Sequence, residues 1–269
     1  MLNIKKYIRG IICFGFALIL TLITQVFSHS KLTPVAQAAQ TEIIISAAAS
    51  LTDVMKALQP IYQKEKSDIK LIYNFGSSGS LQQQIEQGAP VDVFISAAPK
   101  QMNDLEQKGL LLSGTRKDLL KNTIVLIAPK NNPKVQNFQD LTNNQVRKIS
   151  IGEPESVPAG RYAKEVLTSM NMYDKLQPKL VFAKDVRQVL TYVETGNVDA
   201  GMVYTTDAKS SDQVSIVATA PAGSHSPIVY PIAVIKDSKN PEAAKGFVSF
   251  LSSNTAKSLF ERYGFGLAN

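Results

Sequence analysis

The chain has 269 residues, 44% hydrophobic and 19% charged, a balance that excludes a disordered tail protein, a collagen-like repeat and a polytopic membrane protein. Lysine and arginine outnumber the acids by 29 to 22, but Lys5, Lys6, Arg9 and Lys31 all precede the first acid, Glu42; beyond them the surplus is 25 to 22, too thin for the dense basic face that nucleic acid requires. One cysteine, Cys13, and two histidines, His29 and His225, exclude a disulfide framework, a CxxC site and a histidine-rich metal site.

Residues 1–39 read as a secretory signal peptide. Lys5, Lys6 and Arg9 form a positive start, an apolar run extends from Ile11 to Ile23, and Ala36-Gln37-Ala38 is a small-residue cleavage pattern, placing the cut at Ala38 or Ala39. An uncleaved anchor would need Ile8 to Phe27 to span a membrane, and Gly10, Thr21, Thr24 and Gln25 count against it. Cys13 lies at the start of the apolar run, behind Ile11-Ile12 rather than the small residues that lipid attachment requires. The mature chain is therefore expected outside the cytoplasm and free of cysteine.

From Glu42 onward, strand and helix patterns alternate. Glu42–Ala48 reads as a strand, and Leu51–Lys66 as a helix with Leu51, Val54, Met55, Leu58, Ile61 and Tyr62 on one face. Strands follow at Ile69–Phe75 and Val91–Ser96, and helices at Leu81–Gln87 and Lys100–Lys108. Further strands are predicted at Thr123–Ala128, Lys148–Gly152, Leu180–Phe182, Val198–Val203, Val214–Ala218 and Ile228–Ile235. The remaining helices are Pro158–Met170, Val186–Glu194, Pro241–Leu251 and Thr255–Tyr263. Such alternation predicts an α/β fold with mostly parallel sheets and flanking helices. An internal echo favours two lobes: Ile85-Glu86-Gln87-Gly88-Ala89-Pro90-Val91-Asp92 is mirrored by Val193-Glu194-Thr195-Gly196-Asn197-Val198-Asp199, each a helix end with glycine followed by a strand.

Ligands of α/β sheets bind beyond the carboxyl ends of the strands, where helix N-termini point. After the first strand, Ser50 can cap a helix, with Asp53 completing a capping box. After the second, Gly76-Ser77-Ser78-Gly79-Ser80 opens a helix with small residues whose N–H groups suit an anion. In the second half, Pro158 suits a first helical position and leaves the Ala159 and Gly160 amides free, Asp185 caps the helix from Val186, and Tyr204 follows a strand. Together these donors, some from each half, favour an anion held between two lobes. Enzyme chemistry finds less support. Gly76-Ser77-Ser78-Gly79 is not G-x-S-x-G, and neither a Walker loop nor G-x-G-x-x-G is present. A serine hydrolase would have to pair Ser78 with His225, which sits in a turn-like Gly223-Ser224-His225-Ser226-Pro227. Asp92 and Asp199 read as turn residues rather than a carboxylate pair.

These segments carry a resemblance. Ala47-Ala48-Ala49-Ser50-Leu51-Thr52, Phe75-Gly76-Ser77-Ser78 and Gly88-Ala89-Pro90-Val91-Asp92-Val93-Phe94-Ile95-Ser96-Ala97 are followed by Val157-Pro158-Ala159-Gly160-Arg161-Tyr162-Ala163-Lys164-Glu165, Asp185-Val186-Arg187, Val203-Tyr204 and Arg262-Tyr263-Gly264-Phe265. In this order, from about Glu42 to Phe265, the sequence resembles the bacterial periplasmic molybdate-binding proteins, the soluble components of molybdate ABC transporters. The resemblance implies a two-lobe periplasmic binding-protein fold of type II, with lobe 1 at 40–120 plus 230–269 and lobe 2 at 121–229. It also implies an oxyanion site of Ser50, Ser78, Ala159, Val186 and Tyr204, where hydroxyls and backbone N–H groups hold molybdate or tungstate without a directly coordinated metal. Gly79 departs from the family, where a third serine often stands. The implied protein is a periplasmic monomer with no cofactor and no enzymatic activity, whose partner is a membrane permease. Sulfate or thiosulfate is the alternative ligand, and a secreted serine hydrolase the remote alternative.

Overall fold

The computed structural model describes residues 40–268. The expected signal peptide over 1–39, with Cys13 and the cleavage point, lies outside these residues. No helix among the described residues is long and apolar enough to cross a membrane.

β1 (Thr41–Ala48) becomes buried on both faces toward its C-terminal end, as a central strand covered by helices must. A 3-10 turn (Ala49–Leu51) leads into α1 (Thr52–Glu65), whose Val54, Met55, Leu58 and Tyr62 form the buried stripe. β2 (Ile69–Gly76), α2 (Ser78–Glu86), β3 (Val93–Ile95), α3 (Pro99–Gln107) and β4 (Lys117–Lys121) follow. After only Asn122 and Thr123, β5 (Ile124–Pro129) enters a second sheet. That part continues with β6 (Ile149–Gly152), α4 (Pro158–Ser169), α5 (Tyr173–Leu176), β7 (Leu180–Ala183), α6 (Val186–Glu194), β8 (Ala200–Tyr204), α7 (Thr205–Lys209) and β9 (Val214–Thr219). β10 (Val229–Val234) returns to the first sheet, followed by α8 (Pro241–Phe250), α9 (Asn254–Arg262) and β11 (Gly266–Leu267).

The two sheets have strand orders β11-β4-β10-β3-β1-β2 and β7-β6-β8-β5-β9. Both are mixed, where the alternation of elements suggested mostly parallel sheets. Strands joined through a helix are parallel: β1 with β2 and β3, and β6 with β7 and β8. Those bordering the crossings between sheets are antiparallel: β10 with β3 and β4, and β5 with β8 and β9. A chain that passes between sheets in two residues has no helix to carry it back to a parallel start.

The internal echo extends to single hydrogen bonds. β1-α1-β2-α2-β3 and β6-α4-β7-α6-β8 have the same parallel pairing, and α2 and α6 end on Gly88 (φ 84°) and Gly196 (φ 68°), where glycine satisfies the left-handed turn. Asp92 then brackets Ile44 of β1: its N–H donates to the Ile44 carbonyl at 2.8 Å, and its carboxylate accepts the Ile44 N–H at 2.7 Å. Asp199 brackets Lys148 in the same way, at 2.8 and 3.1 Å. Both aspartates therefore fasten strands, each within its own sheet.

Candidate functional site

Ser50, Ser78, Ala159, Val186 and Tyr204 come together around one small cavity between the carboxyl ends of the two sheets. All five are buried. Ser50 lies in the turn after β1, Ser78 opens α2, Ala159 is the second residue of α4, Val186 opens α6 and Tyr204 ends β8.

The first N–H groups of a helix have no partner within it. Some are satisfied here by other means. Ser77 caps α2 by accepting the Ser80 N–H at 3.2 Å, Asp185 caps α6 by accepting from Gln188 at 2.8 Å, and the Gly160 N–H reaches the Val157 carbonyl at 2.9 Å. Gly160 is thus not the free amide that the sequence suggested. The N–H groups of Ser78, Ala159 and Val186 remain at the cavity, without a partner among the described residues. α2 also begins three residues before the predicted Leu81, because the Ser77 cap and the sheet beneath outweigh the weak helix preference of Gly79 and Ser80.

The expected capping role of Ser50 is not what the structure shows. α1 begins at Thr52 with no side-chain cap, and Asp53 is drawn instead into an ion pair with Arg187 of α6. The Ser50 hydroxyl lies 3.0 Å from the phenol of Tyr230. The Ser78 hydroxyl accepts the Ala97 N–H at 2.9 Å, which leaves its own hydrogen free. The Tyr204 phenol sits 3.5 Å from the Ala97 carbonyl, a long contact. Burial pushes the Tyr204 phenol well above its usual range, so it is a neutral donor at any ordinary pH.

No lysine or arginine side chain lines the cavity, and its one acid, Asp185, is committed to the α6 cap. Positive potential comes from the ends of α2, α4 and α6. Across the cavity rim the Gly79 N–H donates to the Ser156 carbonyl at 2.9 Å. A Cβ at Gly79 would lie 2.5 Å from that oxygen, so glycine is what lets the two backbones meet. Arg187 also faces Asp207, 3.0 Å away and fully buried, whose carboxyl is pushed up to about 7 by its loss of solvent.

Ser78 and His225 do not form a hydrolase pair. His225 stacks edge-on against Tyr162 in a separate open groove, and its Nδ1 lies 2.7 Å from the Ser226 carbonyl. Among the described residues, no group of three or more His, Cys, Asp or Glu could hold a metal ion. Tyr230 and Asn122 are neighbours of the site that sequence reasoning missed. Tyr230 reads as strand core and Asn122 as a loop residue, and no local pattern marks either.

Residues 43–266 match the family of bacterial extracellular solute-binding proteins. YvgL of Bacillus subtilis (strain 168), provisionally named as an ABC transporter substrate-binding lipoprotein, is 49% identical over 83% of this chain and 85% of its own. The molybdate-binding protein ModA of Haemophilus influenzae is 39% identical, covering 85% of this chain and 91% of the relative. A solved substrate-binding domain from Clostridium difficile, provisionally assigned to a molybdenum ABC transporter, is 51% identical, with a TM-score of 0.66 over 86% of this chain and 100% of the other. The chain belongs to the bacterial extracellular solute-binding proteins and groups with their ModA members.

Proposed function

We propose that the protein captures molybdate between two lobes, 40–120 plus 230–269 and 121–229, and delivers it to the membrane permease of an ABC transporter. The observation that carries this reading is the cavity itself: it is small, shared by both sheets, and lined by free hydrogen-bond donors with no cation. In this reading Ser50 and Ser78 donate from their hydroxyls, Ser78, Ala159 and Val186 from backbone N–H groups, and Tyr204 from its phenol. The names of the ModA relatives support the same ligand.

Molybdate at neutral pH is a fully deprotonated dianion that only accepts hydrogen bonds, so a site of donors suits it. Hydrogen phosphate would bury an O–H with no acceptor, at about 1–3 kcal/mol. Sulfate is also acceptor-only, and its exclusion rests on size; tungstate, close to molybdate in size, binds comparably. Five to seven bonds to a charged group, at about 1.5–3 kcal/mol each, give on the order of 8–20 kcal/mol. Closure and lost ligand freedom subtract several kcal/mol. The remainder corresponds to a Kd between micromolar and nanomolar, about −8 to −12 kcal/mol. The mature protein acts as a periplasmic monomer after cleavage at Ala38 or Ala39.

Calorimetric titration of the ion-stripped mature protein tests this. Molybdate and tungstate are expected to bind one to one, while sulfate and phosphate give no heat. Sulfate binding as tight as molybdate would replace the ligand, and silence toward all four would remove the reading.

A further inference from the structure

We propose that Tyr230, although not part of the cavity lining, is a positioning residue that aims the Ser50 hydroxyl hydrogen at the cavity and thereby favours unprotonated oxyanions. The inference rests on the oxyanion reading of the cavity and adds to it how one of its donors is held in that role.

Asn122, in the two-residue crossing between β4 and β5, accepts the Thr123 N–H on its Oδ1 at 2.9 Å, which fixes the orientation of its amide. Its Nδ2, a donor only, reaches Thr206 Oγ1 at 2.9 Å and Tyr230 Oη at 3.2 Å. Tyr230 therefore accepts from Asn122 and has one hydrogen left to place. The other polar partner of Tyr230 Oη is Ser50 Oγ at 3.0 Å. Were Ser50 the donor, the phenol hydrogen would be buried with no acceptor, since Tyr230 is wholly inaccessible. Burial also pushes this phenol well above its usual range, which keeps the hydrogen in place. The chain of donation is thus Asn122 to Tyr230 to Ser50, and the Ser50 hydrogen points onward to the cavity.

Ser78 receives the same treatment from the backbone, because the Ala97 N–H occupies its oxygen. A serine hydroxyl left alone can rotate and either donate or accept. Both hydroxyls here accept a bond from behind, so each hydrogen is left to find its acceptor in the cavity. Phe265 packs edge-on against Tyr230 at 5.7 Å between ring centres, holding the phenol on line. This gives the Arg262-Tyr263-Gly264-Phe265 segment a connection to the site.

The test uses Tyr230→Phe and Asn122→Ala, each titrated calorimetrically with molybdate and with arsenate at a pH where arsenate carries one proton. Tyr230→Phe frees Ser50 to accept the arsenate O–H. Molybdate affinity is expected to fall about threefold to tenfold, the loss of one hydrogen bond, while arsenate binding falls less or rises, so the ratio of the two drops. Asn122→Ala should shift the ratio in the same direction, and carries the test alone if the phenylalanine variant fails to fold. An unchanged ratio in a folded variant, whether both affinities fall together or neither moves, overturns the relay and leaves the oxyanion reading standing. Wild-type protein silent toward molybdate refutes that reading and the relay with it.

Discussion

Gly160→Ala tests whether the amides at the start of α4 hold the ion. A Cβ at this position would lie 1.9 Å from the carbonyl oxygen of Gly152 and 2.3 Å from its carbon. Carbon and carbonyl oxygen approach to about 3.3 Å at closest, so α4 would have to retreat about 1.4 Å. No rotamer relieves the contact, because both sides of it are backbone. Overpacking of this kind costs about 1–3 kcal/mol, partly offset by the better helix preference of alanine, about 1 kcal/mol at most. A net loss of up to about 2 kcal/mol in stability is expected. The functional effect is larger in proportion, since the Ala159 N–H travels with the helix. A donor that starts near 2.9 Å and moves by about 1.4 Å no longer makes a hydrogen bond. Losing one bond to a charged group, about 1.5–3 kcal/mol, predicts molybdate binding weaker by roughly tenfold to 150-fold. Urea unfolding and calorimetric titration measure the two effects separately. Gly196→Ala is the control: it strains a left-handed turn with nothing within 4 Å of the new carbon, and should lower stability without touching affinity. A Gly160→Ala protein that binds within threefold of wild type would refute the placement of Ala159 at the ion.

Three further outcomes follow from the same structure. Ser50→Ala and Ser78→Ala should each weaken molybdate binding by about 1–3 kcal/mol; unchanged calorimetric affinity in both would remove the serines from the site. Asp207 holds its proton up to about 7 when folded but only to about 3.8 when unfolded, so its contribution to stability is complete below the unfolded value and is lost as pH rises through about 7. The unfolding free energy of the ligand-free protein, measured with urea, should therefore fall between pH 5 and 7.5, by up to about 1.4 kcal/mol per pH unit, and Asp207→Asn should flatten the slope; a free energy that rises over this range contradicts the account. Glu86, Asp104 and Asp199, all held below their usual values by hydrogen bonds and cations, act in the opposite sense only at lower pH. Asp199→Ala removes the acceptor for the Arg147 and Lys148 N–H groups and should cost about 1–3 kcal/mol by urea unfolding, with ion affinity unchanged.

What the sequence disclosed depended on how local the physics was. Pro158 at the start of α4, the Asp185 cap and the paired glycines after α2 and α6 are each determined within a few residues, and each was readable. β4 was missed because Lys117, Asp118 and Lys121 surround only Leu119 and Leu120; its place depends on β10 and β11, more than a hundred positions further on. Ser50 shows the conflict most clearly. Its position before a helix argues for a cap, yet a tyrosine 180 residues away takes the hydroxyl. The Asp53–Arg187 pair and the Asn122–Tyr230 bond likewise join residues with no common pattern along the chain. The five candidate positions came through the family resemblance, while the donors standing behind them had to be seen in three dimensions.

The repeated β-α-β-α-β unit also bears on the shape of what is bound. The donors arrive in matching pairs along the two units: Ser50 and Ala159 follow the first strand of each, Ser78 and Val186 the second. A tetrahedron has half-turn axes, each passing through the midpoints of two opposite edges. An anion with four equivalent oxygens can therefore offer one edge to each unit. A planar trigonal anion has three oxygens, so any two of its edges share one. Shape thus enters through the repeated scaffold as well as through single side chains.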